Sequence, residues 1–600
     1  MRKIEKIKLL PIIIVWGFVP LLVRMQPYQT GLSQFEWYPD SSEWQTDFFL
    51  VWKSWFITAC AICMLLILAY NYFERKREMR VEWPFYLVLA YGVLVFLSGL
   101  LSGNSSFAFR GGYEIYESVW VLLSYCIIIY YTYQYVRTQE DVVRLIEFTA
   151  IGVGIQCVVG VSQLVGMDVF RTTIGKMLIT PPSQWSELDT LSFRFPPHVV
   201  YSTLYNVDYL GYYVGIFLPI MIVMLLFAGK IWKKVVYAVL SVALVLCLIG
   251  AGALGGAIAV IVGGIVGSVV LISRNKKWLL PGIASGACCA ILFVIVCLNT
   301  SLGEKLYTVF VGTTKGYDAF AVKAIETNDE DVVFDINGER LHIRYMIDDA
   351  TGGVYVACSD ETGNDLDTQL TGENHSIYEI LDDRFDCVTV EPAYVSEYIG
   401  ISVVADGVEW NFTNQVDGTY YYANPIGKFV KMEPVETVNV FNNDAFQNRG
   451  VIWNHTIPHL KEHILLGSGA NTFVLVYPQN DYIYKTYMNM ATMFDVKAHN
   501  WYLQQWIENG LLALLCILAF YGIYFVRSVK LYRRITFKHN MSAYMGFAVF
   551  IGINSYMISS IVNDSYVCTA PVLWCAFGLG YALNRMNAEY LKKEQKGENK

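Results

Sequence analysis

Long apolar stretches alternate with short polar loops over most of the chain, and each stretch approaches the length of a membrane-spanning helix. Such a helix needs about 20 apolar residues. Gly250 and Gly252 separate the seventh stretch from the eighth. The pattern predicts twelve spans, at residues 9–23, 48–72, 84–101, 118–135, 143–165, 208–227, 235–250, 255–272, 279–298, 510–527, 541–562 and 566–583.

Lysine and arginine concentrate in alternate loops between these spans. The basic clusters follow spans two, four, six, eight and ten and also occupy the two ends of the chain, and together they hold 26 of the 44 basic residues. Because basic loops stay in the cytoplasm, we expect a multi-pass plasma-membrane protein with both termini cytoplasmic. Residues 299–509 are then extracytoplasmic.

Within that outer segment, residues 313–437 change to a period of two, which is typical of strands. Val332–Ile336 and Arg340–Tyr345 flank Asn337-Gly338, two residues that tolerate the positive φ angles of a tight hairpin turn. We therefore expect a β-rich, sandwich-like domain between helices nine and ten of an α-helical polytopic protein. Further strand-like runs are 353–358, 387–391, 401–405, 408–413 and 419–423.

Composition supports this division into a membrane part and a polar insert. The chain is 55% hydrophobic and 16% charged, whereas soluble domains carry about 25% charged residues, so a string of soluble domains is excluded. Residues 313–437 have a net charge of −18 within a total of −8, which leaves +10 for the rest. We expect membrane lipids as surroundings and no nucleic acid as partner, since a phosphate backbone requires a basic face.

The predicted organisation has six parts. They are a membrane domain with helices one to nine (1–298), a linker (299–312), the acidic β-rich insert (313–437), an outer loop with short helices (438–509), helices ten to twelve (510–583) and a cytoplasmic tail (584–600). Cys358 and Cys387 lie in the insert, where the sequence leaves a disulfide and two free thiols equally open.

Three outer-loop histidines, His455, His459 and His463, are spaced four residues apart. On a helix they would share one face, as a zinc site or as a solvated surface. The sequence favours the solvated surface, because Pro458 interrupts the run and no carboxylate or cysteine completes a site. We expect no metal.

Polar motifs precede the tenth span in a definite order. Arg449 and Trp453 come first, Gly467-Ser468-Gly469 follows, and the segment Ala498-His499-Asn500 opens a stretch that ends at Gly510. At helical spacing His499, Leu503 and Trp506 share a face, as do Asn500, Gln504 and Glu508, and this second face would line a cavity between helices.

This order of motifs resembles the O-antigen ligase and polymerase family of bacterial membrane glycosyltransferases. A second stretch, residues 202–211 after Arg194, is similar to the family's Thr-Leu-Gly-Asn-Pro-Asn-Tyr-Leu-Gly segment, with Val207-Asp208 replacing Pro-Asn. The resemblance covers the membrane portion and the outer loop before the tenth span, and it leaves out the insert at 313–437.

The resemblance implies glycan transfer from an undecaprenyl-diphosphate-linked donor to an acceptor hydroxyl on the outer face of the membrane, without metal, nucleotide sugar or other cofactor. The acceptor is a lipid, a wall polymer, another glycan or a protein. His499 is implied as the general base. Arg449 and Arg194 suit the diphosphate, because a guanidinium binds phosphate oxygens with two parallel hydrogen bonds.

Each candidate also has a plainer interpretation. His499 fits an interfacial helix cap, Arg449 and Arg194 fit ion pairs, and Arg110 fits an interfacial anchor. We include Arg110 with the other candidate substrate-binding residues, which are Asn206, Asp208, Asn500, Gln504 and Glu508.

One departure separates the chain from the family pattern. Members commonly carry Ser-Arg-Gly after the seventh span, with the arginine as a diphosphate ligand, whereas residues 249–256 contain no arginine. Either another outer arginine replaces it, or the activity has changed. Two alternatives therefore stand beside the transferase: a glycan-lipid transporter or flippase, and a catalytically inactive surface receptor that acts through the β-rich insert.

Overall fold

The structure is a computed structural model that describes residues 8–74, 79–274, 307–312, 320–348, 353–372, 376–488 and 490–596. The predicted ninth span, 279–298, lies outside the described residues.

Helices account for the apolar part of the chain. They are α1 (Leu10–Leu21, with π and 3-10 turns), α2 (Val51–Phe73), α3 (Phe85–Leu101), α4 (Ser105–Arg110), α5 (Val119–Tyr135), α6 (Gln139–Leu164), α7 (Thr173–Ile179), α8 (Val207–Phe227), α9 (Ile231–Ala251), α10 (Leu254–Ile272), α11 (Ala445–Thr456), α12 (Phe473–Val476), α13 (Tyr482–Tyr487), α14 (Trp501–Asn509), α15 (Leu511–Tyr532), α16 (Met541–Ser559) and α17 (Ala570–Gln595). Short 3-10 helices occur at Val169–Arg171, Pro182–Thr190, Asp383–Phe385 and Ile457–His463.

Each of the other eleven predicted spans coincides with a helix. Within the described residues, seven helices are long and apolar enough to cross a membrane, namely α2, α6, α8, α9, α10, α15 and α16, and α1 and α3 are shorter apolar helices. The protein is therefore a multi-pass helical membrane protein, while the full count of twelve spans stays a prediction.

Helix α17 forms the centre of the helical bundle. Its residues from Ala570 to Leu583 are buried, and it packs against α5 and α16. The Trp574 ring stacks between Tyr91 and Tyr125, with centroid distances of 5.9 and 5.4 Å. This placement also fixes the loop that precedes α17, residues 560–569, at one end of the bundle.

Helices α8 and α10 approach each other through glycine. A Cβ atom on Gly211 would lie 2.4 Å from the Gly256 Cα atom, and a Cβ on Gly256 would lie 2.6 Å from the Gly211 Cα atom. Any larger residue would push the helices apart. Because α8 also packs against α16, this contact sets the position of the first turn of α8, which carries Asp208.

The insert consists of two antiparallel sheets that share one apolar core. One sheet has the order β3-β4-β5-β6, and the other has the order β13-β12-β11-β10-β9-β8-β7. The strands are β3 (Val322–Thr327), β4 (Val332–Ile336), β5 (Glu339–Ile347), β6 (Val354–Asp360), β7 (Thr368–Thr371), β8 (Ile377–Ile380), β9 (Val388–Val395), β10 (Tyr398–Ala405), β11 (Val408–Thr413), β12 (Tyr421–Ala423) and β13 (Phe429–Val430), whereas β1 (Gln26–Gln29) and β2 (Trp44–Asp47) form a separate hairpin in the first outer loop.

The predicted hairpin at Asn337-Gly338 is confirmed. Ile336 pairs with Glu339 across the turn, and both turn residues have positive φ, 53° and 95°. The predicted strands after it are confirmed as β6, β9, β10, β11 and β12, whereas the sequence analysis missed β3, β7, β8 and β13. Cys358 and Cys387 are free thiols, so of the two alternatives, a disulfide or two free thiols, the structure contains the free thiols.

The insert is fixed to the outer loops by specific polar contacts. Lys428 donates through Nζ to the backbone oxygens of Phe35 and Tyr38 at 3.0 and 3.1 Å. The Asn424 amide donates to the Tyr482 hydroxyl at 3.1 Å, and Tyr482 is part of the insert's core. The insert therefore contacts both the first outer loop and helix α13.

The glycine contact between α8 and α10 generates a stability prediction. Gly256→Leu should lower the midpoint of thermal unfolding in detergent by several kelvin, because overpacking costs about 1–3 kcal/mol. Gly264→Leu is the matched control on the same helix, since a Cβ at Gly264 meets nothing within 4 Å. Equal melting of the two variants would contradict the predicted role of the contact.

Candidate functional site

His499 is held between two fixed points of the chain. Trp453 donates its indole N–H to the carbonyl oxygen of Ala498 at 2.8 Å, and the Trp501 N–H donates to the carbonyl oxygen of Asn563 at 3.0 Å. His499 adopts a left-handed backbone with φ of 49°. Strain of this kind persists where the surroundings over-determine the conformation, and it concentrates at functional sites.

Asp564 is the carboxylate that orients His499. Its Oδ2 atom lies 3.1 Å from the His499 Nδ1 atom, and the Asp564 side chain is only 1% exposed. Burial raises the pKa of this carboxyl, but His499, Lys497 and Arg449 outweigh that effect and hold the pKa below its usual value. Asp564 is therefore ionised, and the Nδ1–H of His499 donates to it, which places Nε2 on the opposite side of the ring.

Lys497 is a second cation beside Asp564. It is buried, its Nζ donates to the Tyr566 hydroxyl at 2.7 Å, and the ammonium lies 4.7 Å from the centre of that ring. Burial lowers the pKa of Lys497 below its usual value and outweighs the opposing charges of Asp564, Glu114 and Asp208.

Arg449 reaches across the site to helix α8. Its Nη2 atom lies 3.1 Å from Asp208 Oδ2, and the Arg449 side chain is 12% exposed. The same atom lies 3.4 Å from the side-chain oxygen of Asn563. Asn206 caps α8 by accepting the Asp208 N–H at 3.3 Å. The structure therefore brings together three of the predicted site residues, Arg449, Asp208 and Asn206.

A strained turn precedes Arg449. Phe446, Gln447 and Asn448 have φ angles of 54°, 62° and 65°. A left-handed conformation costs a non-glycine residue about 1–2 kcal/mol. Gly450 is required next, because a Cβ there would lie 2.0 Å from a backbone oxygen. Arg449 thus stands at the first regular turn of α11.

His499 and Arg449 line one cavity, which we call the histidine cavity. Its volume is about 280 Å³. Its wall contains acidic, basic and aromatic side chains and also includes Asn448, His455, Tyr477, Asp481, Lys485 and Asp495.

Arg194 lines a different cavity, of about 240 Å³, which we call the aromatic cavity. The guanidinium lies 5.8 Å from the centre of the Phe195 ring. The charges of Arg194 and Glu114, both in this wall, act on Lys497 in opposite directions. Lys497 itself lines neither this cavity nor the histidine cavity. The rest of the aromatic wall includes Tyr28, Phe49, Tyr113, Phe170, Phe193 and Tyr205.

Gln504 and Glu508 are buried in the packing of α14. Gln504 Nε2 donates to Glu508 Oε1 at 3.0 Å, and the Phe473 N–H donates to the same oxygen at 3.4 Å. Burial raises the pKa of Glu508 to about 8. Gly467 packs directly against this helix, since a Cβ there would lie 2.2 Å from the backbone carbon of Glu508, which explains the glycine in that motif.

Asn500 and Arg110 have local contacts. Asn500 is the N-cap of α14, and its Oδ1 accepts the N–H groups of Tyr502 and Leu503 at 3.0 and 3.1 Å. Helix α14 begins at Trp501, so the expected helical faces that include His499 and Asn500 are wrong. Arg110 ends α4 and lies beside the first outer loop, apart from the contacts of His499.

His455 is buried, so the expectation of a solvated histidine face is wrong for this residue. Its Nε2 lies 2.6 Å from Asp481 Oδ2 and its Nδ1 lies 2.7 Å from the Val451 carbonyl oxygen. Both ring nitrogens face acceptors and must donate, so the ring is an imidazolium. Burial alone lowers its pKa, but Asp481 outweighs this and raises the pKa above its usual value. Among the described residues, no group of three potential ligands is placed to hold a metal ion.

Sequence analysis missed Asp564, Lys497 and Glu114. Asp564 follows α16 in a short loop between two apolar spans, where an ionisable residue is costly and therefore often functional. That signal was available in the sequence. Its partner was not, because 65 residues separate it from His499.

The turn that lacks the family's arginine lies close to Arg449. A Cβ on Gly255 would lie 3.0 Å from the Val562 side chain and 3.7 Å from the Asn563 amide nitrogen. Asn563 is also a neighbour of Arg449. An arginine from another loop therefore reaches the residue that flanks this turn.

A comparison with protein families covers part of the chain that forms this site. Residues 412–518 match the O-antigen ligase family model. The match begins in β11, ends in α15 and contains Arg449 and His499, whereas Arg194 and Asp564 lie outside it. It supports an O-antigen ligase-like role in glycan assembly for this multi-pass membrane protein. No curated protein and no solved structure matches the chain.

The burial of Glu508 generates a pH prediction. Its carboxyl has a pKa of about 8 in the folded protein against an ordinary 4.5. Between these values the folded state keeps a proton that the unfolded state releases, so stability falls with rising pH by up to about 1.4 kcal/mol per pH unit. Glu508→Gln should flatten this dependence in thermal unfolding between pH 5 and pH 8 (roughly the window of the shift).

The control for this measurement is Glu361→Gln, on an exposed turn of the insert. It should retain the wild-type slope. Parallel curves for Glu508→Gln and the wild type would contradict the assignment.

Proposed function

We propose that the protein transfers a glycan from an undecaprenyl-diphosphate-linked donor to an acceptor hydroxyl on the outer face of the plasma membrane, in cell-surface polysaccharide assembly. One observation carries the proposal. His499, oriented by the buried Asp564, shares a cavity with Arg449, and both residues lie within the segment that matches the O-antigen ligase family.

His499 acts as the general base in this proposal. The acceptor hydroxyl gives its proton to Nε2, and its oxygen attacks the anomeric carbon of the donor sugar. The bond from that carbon to the diphosphate breaks, and the diphosphate leaves with the electron pair. Asp564 holds the imidazole by Nδ1 and stabilises the imidazolium that forms, as the aspartate does in a serine protease triad.

Arg449 and Arg194 bind the leaving diphosphate. A guanidinium fork matches phosphate oxygens, and stabilising charge as it develops is commonly the largest catalytic contribution. The leaving group is already activated, so the transfer requires no metal, nucleotide sugar or other cofactor.

Arg449 takes over the role of the arginine that the family carries after the seventh span. Its contact with Asn563, beside the turn at Gly255, supports this replacement. The acceptor in the histidine cavity is a hydroxyl of a lipid, a wall polymer, a glycan or a protein. The basic loops support a topology with cytoplasmic termini and an extracytoplasmic site.

The first test removes the base. His499→Ala should reduce transfer by about 10²–10⁴-fold, and the lipid-linked precursor should accumulate on the outer face of the membrane in the native host. His342→Ala, in the insert and paired with Asp331, is the matched control and should leave surface glycan unchanged.

The outcomes of this test distinguish the alternatives. Unchanged glycan without precursor accumulation would refute the base assignment and favour a receptor. Precursor retained on the cytoplasmic face would favour a flippase.

A second test separates orientation from binding. Asp564→Asn should lower kcat by up to about 10⁴-fold with little change in KM, because it removes the charge that stabilises the imidazolium. The double variant with His499→Ala should lose no more than His499→Ala alone, since residues that act as a unit are not additive. A multiplicative loss in the double variant would show that Asp564 acts independently of His499.

A further inference from the structure

Helix α7 exposes two large apolar side chains. Ile174 and Leu178 lie on one face and are 72% and 66% exposed. Gly175 and Ile179, on the neighbouring face, are buried. The helix packs closely on the preceding turn, since a Cβ at Gly175 would lie 1.8 Å from a backbone oxygen. Its exposed apolar face is therefore a fixed surface of the fold.

The cations of this region turn inward. Lys176 donates through Nζ to the carbonyl oxygen of Leu188 at 2.8 Å. Arg171 donates to the carbonyl oxygen of Phe195, and its guanidinium lies 5.1 Å from the centre of the Phe193 ring. The nearby cations therefore bond to the protein, while the most exposed large side chains of α7 are aliphatic.

This apolar surface continues from a membrane-spanning helix. Helix α6 presents an exposed stripe with helical spacing, formed by Phe148, Ile151, Ile155 and Val158. Directly after the helix, Val165 and Met167 are 56% and 73% exposed. Exposed apolar side chains therefore continue along the chain beyond the end of α6, as far as Ile174 and Leu178.

We propose that residues 165–179, the interfacial segment, lie in the outer interface of the bilayer with this face in contact with lipid. Helices that rest on a membrane bury an apolar face at the boundary between headgroups and acyl chains. Trp185, 43% exposed in the following 3-10 helix, is a typical interfacial residue. The exposed Glu187 and Asp189 place the rest of that 3-10 helix on the water side.

The opposite side of the interfacial segment is a wall of the aromatic cavity. Phe170 and Ile179 line that cavity together with Arg194. The segment thus separates lipid from the arginine that binds the diphosphate in the proposed function. This step rests on the proposed function. The head group of the isoprenoid-linked donor enters the aromatic cavity from the membrane past the interfacial segment, while the isoprenoid chain of the donor stays in lipid.

Lipid contact is tested independently of activity. A photo-crosslinking amino acid replaces Leu178 or, as control, Tyr394, which is 82% exposed on the insert. The protein is irradiated in nanodiscs of phosphatidylethanolamine and phosphatidylglycerol and analysed by mass spectrometry. Lipid adducts at position 178 and none at position 394 are expected. Absence of adducts at 178, or crosslinks there to a second protein chain, would overturn the proposal.

The entry route is tested by kinetics with two donors. Leu178→Glu should raise the KM for a long-chain polyprenyl-diphosphate donor about fivefold, equivalent to about 1 kcal/mol, and leave transfer from a short-chain, water-soluble donor unchanged. Leu381→Glu, at a residue 61% exposed on the insert, is the matched control and should behave as wild type with both donors.

These outcomes separate the two proposals. Equal effects of Leu178→Glu on both donors, or none, would overturn the entry route while the wild-type enzyme still transfers glycan. No transfer by the wild-type protein with any donor would refute the proposed function, and the crosslinking result would still decide whether the interfacial segment contacts lipid.

Discussion

The buried charge of Asp564 is the constraint on which the site depends. An ionised carboxylate that is almost fully shielded from water is stable only with compensating partners, and here the charges of Lys497 and Arg449 and the contact with His499 provide them. Two of these partners come from one extended segment and the third from α11. The carboxylate therefore fixes the relative positions of an outer loop and the end of the helical bundle, as well as the orientation of one imidazole ring.

The helical bundle supplies the rigidity that this arrangement requires. Helix α17 is buried at the centre and holds the preceding loop, and the glycine contact between α8 and α10 positions Asp208. Strained backbone then accounts for the finer geometry. Left-handed residues immediately before Arg449, and His499 itself, are tolerated because the surrounding contacts leave the chain no relaxed alternative.

Local patterns in the sequence predicted helices and strands, but they could not predict contacts between residues that lie far apart in the chain. Hydropathy identified helices at eleven spans, and Asn337-Gly338 identified a hairpin, because length and turn chemistry are local properties. The motifs identified His499 and Arg449, which the structure places in one cavity. Helical spacing misplaced His499, because Asn500 is the N-cap of α14 and the helix begins only at Trp501. His455 was misjudged because its partner Asp481 is 26 residues away.

The ion pair between Arg449 and Asp208 has a consequence for how any anion binds. The Nη2 atom of Arg449 already bonds to Asp208 Oδ2, so a phosphate group that binds there replaces one carboxylate partner instead of adding to a bare cation. Such an exchange leaves the charge balance of the arginine nearly constant. The affinity would then report the difference between two ion pairs and would vary little with ionic strength, unlike binding to an exposed basic patch.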